Sequence, residues 1–139
     1  MVKTVNIRLA FDPERAAAVI GVVFGLATLV AGGTVLLGRD PGYIVYQPLL
    51  VFNTVMGLVY FYAGVAAWRR QDAGRTLAGV ITTVNAGVLC WTVYLFRTTR
   101  EVVATDSVRA MTLRVSVWVV LYAVLAWVWR RKRAAIGPS

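Results

Sequence analysis

Residues 49–96 read LLVFNTVMGLVYFYAGVAAWRRQDAGRTLAGVITTVNAGVLCWTVYLF, and this stretch decides the fold. Two apolar runs, residues 49–68 and 76–96, flank the basic turn Arg69-Arg70-Gln71-Asp72-Ala73-Gly74-Arg75. At about 1.5 Å per residue, either run as a helix spans the roughly 30 Å hydrocarbon core of a bilayer. A turn this short makes the two helices antiparallel neighbours. Each run carries one asparagine, Asn53 in the first and Asn85 in the second. An amide inside a membrane-length helix needs a hydrogen-bond partner, so both should mark faces turned toward other helices.

On either side lie two more runs of the same character, residues 16–37 and 111–129. The first follows Asp12-Pro13-Glu14, a helix start with Asp as N-cap, Pro at the first position and Glu against the positive end of the dipole. It is too long for the apolar region of a signal peptide. Gly38-Arg39-Asp40-Pro41-Gly42 breaks the helix, with Pro41-Gly42 suited to a type II turn, and Pro48 opens the second span. Residues 97–110 are polar and mixed in charge, with Val102, Val103 and Ala104 suited to the membrane surface as a helical extension. Residues 1–11 alternate loosely, as in a short extended or interfacial arm, and residues 130–139 are expected to form a disordered basic tail. The expected fold is a single-domain, all-α integral membrane protein with four transmembrane helices in an up-down-up-down antiparallel bundle.

Composition agrees with this class. Hydrophobic residues make up 59% of the 139-residue chain and charged residues 15%, far from the balance of a soluble domain. All six acidic residues fall outside the apolar runs. The net charge of +9 would suggest nucleic acid in a soluble protein. Here the basic residues sit at the ends of spans, where they set topology and meet anionic lipid headgroups, so no nucleic-acid partner is expected. With the N-terminus inside, the inner flanks hold ten of the 15 basic residues: Lys3, Arg8, Arg15, Arg69, Arg70, Arg75, Arg130, Arg131, Lys132 and Arg133. Arg39, Arg97, Arg100, Arg109 and Arg114 fall outside. Both termini are therefore expected in the cytoplasm, with the protein in the plasma or inner membrane. Trp68, Trp127 and Trp129 would form an inner aromatic belt, and Tyr43, Tyr46 and Tyr94 an outer one.

Small residues mark the faces on which helices pack in lipid. Ala17, Gly21, Gly25, Thr28 and Gly32 line one side of the first span. Gly57 and Gly64 share a face with Asn53 in the second span, and Gly79, Thr83, Gly87 and Cys90 form a stripe on the third, with Asn85 off it as a helix-to-helix hydrogen bonder. The plain reading is a tight bundle in which these stripes meet. The sharper one makes the first helix's stripe a homodimer interface.

Depth separates the polar groups. Asn53 lies five residues past Pro48, about 7–8 Å inside the outer surface, and Arg114 lies about one turn into the fourth span from the same side. Thr92 and Arg97 approach that level from the third span, with Gln47 above. Asn53, Arg114, Thr92, Arg97 and Gln47 are thus the candidate ligand-binding residues. An ionisable residue inside a span is by default a functional-site hypothesis. Arg114 would otherwise snorkel to the headgroups or pair with Glu101 or Asp106.

The chain has no histidine, and its one cysteine, Cys90, lies in an apolar run. No metal site or cofactor is expected. Ser107 and Ser116 have no base near them in sequence, and no carboxylates show catalytic spacing. A proton-coupled exchanger needs a titratable group in its path, and no Asp, Glu, His or Lys lies within a span. Two functions remain. The first is a non-enzymatic structural or accessory protein, alone or in a larger membrane complex, holding lipid in an outer polar pocket. The alternative is a passive conduit for a small neutral or anionic solute, built as a homodimer.

Overall fold

The computed structural model describes residues 12–99 and 102–136. The expected N-terminal arm, residues 1–11, lies outside the described residues. Among those described there are four helices and no strand: α1 (Pro13–Leu36), α2 (Gln47–Trp68), α3 (Asp72–Thr98) and α4 (Thr105–Ile136). Each is long and apolar enough to cross a membrane, which fits a multi-pass membrane protein.

Local chemistry sets the helix ends. Asp12 caps α1, its Oδ1 accepting from the backbone N–H of Glu14 at 3.1 Å and of Arg15 at 3.4 Å. α1 closes in a Schellman motif: the N–H of Arg39 donates to Thr34 O and that of Gly38 to Val35 O, with Gly38 at φ 101°. The same two bonds close α2, from Gln71 to Ala66 O and from Arg70 to Ala67 O. There the left-handed position is occupied by Arg70 at φ 56°, a conformation that strains a residue with a Cβ. The Arg70 side chain is held in turn by Asp12, at 2.6 Å.

Several boundaries differ from the sequence reading. α3 begins at Asp72, not at 76, because Asp72 supplies a favourable charge to the first turn. α4 begins at Thr105, not at 111, and runs through the basic segment to Ile136, where a disordered tail was expected. Arg and Lys are good helix formers and favour the negative end of the dipole, so a basic run continues the helix beyond the apolar stretch. Lys132 also ties it down, donating to Glu14 Oε2 at 2.7 Å. The connection from α3 to α4 is correspondingly short, and Val103 in it is buried, not spread on a surface.

α1 packs most extensively on α2, and α3 on α4; α2 also meets α3, and α1 meets α4. The α1–α2 contact uses the small residues read from the sequence. Ala17, Gly21, Gly25, Thr28 and Gly32 are all buried, as are Gly57 and Gly64. A Cβ on Gly64 would lie 2.5 Å from Val22 N, so only glycine admits the neighbouring backbone. The α1 stripe is therefore covered by α2 within one chain. In α3 the small residues behave differently: a Cβ on Gly79 would meet the Tyr122 ring, but Thr83, Gly87 and Cys90 are exposed. α3 instead buries Gly74, Ala78, Ile81, Asn85 and Thr92. At mid-bundle Tyr60, Ile81 and Trp118 are fully buried. Many large apolar side chains on all four helices point outward, among them Val23, Val30, Leu58, Val80 and Val120.

Candidate functional site

One cavity, of about 90 Å³, joins the two residues singled out by depth, Asn53 and Arg114. Helical periodicity builds three of its walls. Thr28, Ala31, Gly32 and Val35 come from one face of α1, Leu49, Leu50 and Asn53 from α2, and Ser107, Ala110 and Arg114 from α4. The α1–α2 connection contributes Tyr43, Val45 and Tyr46. Asn53 Oδ1 and Arg114 Nε are buried and have no hydrogen-bond partner among the described residues. Arg114 does not pair with Asp106, whose carboxylate lies 3.6 Å from Arg109. Glu101, the other expected partner, lies outside the described residues.

The remaining candidates stand elsewhere. Thr92 is buried but does not line the cavity, and its hydroxyl donates to Val88 O at 2.7 Å, which satisfies it within its own helix. Arg97 and Gln47 are exposed and away from the lining. Equal depth brings groups to one level but not to one side of a bundle, which explains why only two of the five converge.

One turn beyond Arg114 lies an aromatic layer, which is not part of the cavity lining. The rings of Tyr60 and Trp118 lie 5.0 Å apart between centroids, and the Phe24 ring lies 5.8 Å from that of Tyr60. The Tyr60 O–H donates to Asn85 Oδ1 at 2.9 Å, joining α2 to α3. Trp118 is 1% exposed and Tyr60 and Asn85 are fully buried, so this layer is closely packed.

Comparison with known proteins gives no match to this chain, whether among family models, curated proteins or solved structures. The site must be read from its own chemistry. Its lining offers one permanent positive charge, one amide and four hydroxyls (Thr28, Tyr43, Tyr46 and Ser107), with no carboxylate, histidine, lysine or cysteine. Such a set can donate hydrogen bonds to an oxygen-rich group. Sequence reasoning passed over Tyr43, Tyr46 and Ser107 as lining residues. A signal existed: Ser107, Ala110 and Arg114 are spaced three and four apart, on one helical face.

At the opposite end of the bundle basic and aromatic residues gather. The guanidiniums of Arg75 and Arg133 lie 4.2 and 4.3 Å from the Trp129 ring centroid, Arg131 lies 4.0 Å from Trp127, and Arg15 lies 5.4 Å from Trp68.

Proposed function

We propose that this protein is a non-enzymatic, lipid-binding accessory protein of the plasma or inner membrane, an up-down-up-down bundle with both termini in the cytoplasm. The observation that carries the binding role is a cavity with a largely apolar wall and two polar side chains, Asn53 and Arg114, each with a buried atom that has no partner among the described residues. A conduit through a single bundle would need a path past Tyr60 and Trp118, and both are fully packed. Binding is therefore favoured over conduction. The Arg–Trp pairs at the other end suit a headgroup region rich in anionic lipid. The alternating arrangement is supported by two ion pairs, Asp12–Arg70 and Glu14–Lys132, which tie the start of α1 to the ends of α2 and α4.

Lipid retention tests the function. Native mass spectrometry of the full chain in mild detergent is expected to find one lipid retained by the wild type and lost in Ala110→Leu, which fills the cavity. No retained lipid, together with a selective solute flux in liposomes that Arg114→Ala abolishes, would establish the conduit instead. The topology has its own test. A cysteine at position 72 in a Cys90→Ser background should react with a membrane-impermeant maleimide only after the cells are permeabilised. Labelling from outside intact cells would reverse the orientation.

A further inference from the structure

We infer that the Arg114 cavity selects a lipid of net negative charge, its phosphate accepting from the guanidinium and a head-group hydroxyl donating to the Asn53 amide oxygen. This inference rests on the cavity being a lipid site and adds the chemistry of the head group.

The argument begins with charge. Arg114 stays protonated, and it lies in a part of the bundle where its lining neighbours supply no negative group. Its Nε is buried without an acceptor, although a planar guanidinium offers its donors as a fork shaped for two oxygens of one oxyanion. Asn53 lines the same cavity, and its Oδ1 is buried and accepts from no group among the described residues. The pair therefore lacks an acceptor for the guanidinium and a donor for the amide oxygen. A phosphodiester with a hydroxyl-bearing head group supplies both. A zwitterionic choline head would bring a quaternary ammonium, which donates nothing to Asn53 and repels Arg114.

Size and surroundings point the same way. A space of about 90 Å³ takes a phosphate-sized group or a few waters but no acyl chain. Beside the lining residues Val35, Tyr43 and Val45, the side chains of Leu36, Leu37 and Ile44 are exposed, an apolar shelf for the chains. A free phosphate ion shares the polar chemistry and has no use for that shelf.

The test uses the purified full-length chain in neutral detergent, with phosphatidylglycerol, phosphatidylcholine or inorganic phosphate added. Binding is read by native mass spectrometry and by the shift in thermal midpoint. Phosphatidylglycerol is expected to bind about tenfold or more tightly than phosphatidylcholine, because it offers Asn53 a hydroxyl and sets no ammonium against Arg114, and inorganic phosphate to give no shift at matched concentration. Arg114→Gln should erase the preference, and Arg114→Lys, which keeps the charge but loses the fork, should keep part of it. Equal binding of the two lipids by the wild type would overturn the head-group inference and leave the lipid site standing, as would a preference unchanged in Arg114→Gln. A shift with inorganic phosphate alone would overturn the lipid source, and binding of none of the three would overturn the site itself. The wild-type comparison is decisive even if a variant fails to fold.

Discussion

Gly25→Val is expected to separate α1 from α2 and to destabilise the protein by about 3 kcal/mol or more, at the upper end for overpacking a well-filled contact. A Cβ at position 25 would stand 2.5 Å from the backbone N of Phe61, 2.8 Å from its Cα and 2.9 Å from the carbonyl oxygen of Gly57. All three are backbone atoms, so no side chain can rotate away. One helix has to move, and α1–α2 is the most extensive helix pair in the protein. Gly64→Val should behave alike, since its Cβ would meet the backbone of Val22 and Ala18. Gly87→Ala is the control. It belongs to an equally regular small-residue stripe, but a Cβ there meets nothing within 4 Å. Its midpoint in a detergent unfolding titration should match the wild type or exceed it slightly, because alanine favours a helix over glycine by up to about 1 kcal/mol. Equal loss in Gly25→Val and Gly87→Ala would mean that the two stripes are packed alike.

Trp118→Ala should be the most damaging single truncation, losing about 3–5 kcal/mol, the usual range for an aromatic removed from a core. Trp118 is 1% exposed, and its ring packs on Tyr60 at the centre of the buried cluster. Around it polar satisfaction is thin. The Asn85 amide N–H and the indole N–H of Trp118 have no partner among the described residues, so the Tyr60–Asn85 bond is the polar link across this layer. Tyr60→Phe should destabilise by about 1 kcal/mol, with a coupling to Asn85→Ala of similar size in a double-mutant cycle, as measured for hydrogen bonds between membrane helices. Additive single effects would show that the bond contributes nothing. Trp118→Phe should retain most of the stability, because a ring still fills the space.

The number of helices was legible because an apolar run of membrane length has few other uses: a backbone in hydrocarbon must satisfy its own N–H and C=O groups. Helix starts were legible where a single residue dictates them, as Asp12 does for α1. The end of α4 was not. Arg130 to Arg133 looked like the boundary of a span, yet charge ends a membrane crossing without ending a helix, and the Glu14–Lys132 pair carries the helix onward. The candidate site was half legible. Depth along each span put Asn53 and Arg114 at one level, but said the same of Thr92 and Arg97, which do not reach the cavity.

The apolar runs therefore dictate the four helices, and the place of Arg114 in its run puts a charge near the level of Asn53. Tertiary structure alone decided which face of α3 is buried, that Tyr60 answers Asn85, and that Arg114 and Asn53 share a cavity with Ser107 and Tyr43. The reason is physical. In a soluble helix polarity marks the outward side, but here both sides are apolar: Val80 points out and Ile81 points in. A stripe of small residues permits close approach without requiring it, so the stripe on α1 and the stripe on α3 look alike until a partner helix covers one of them.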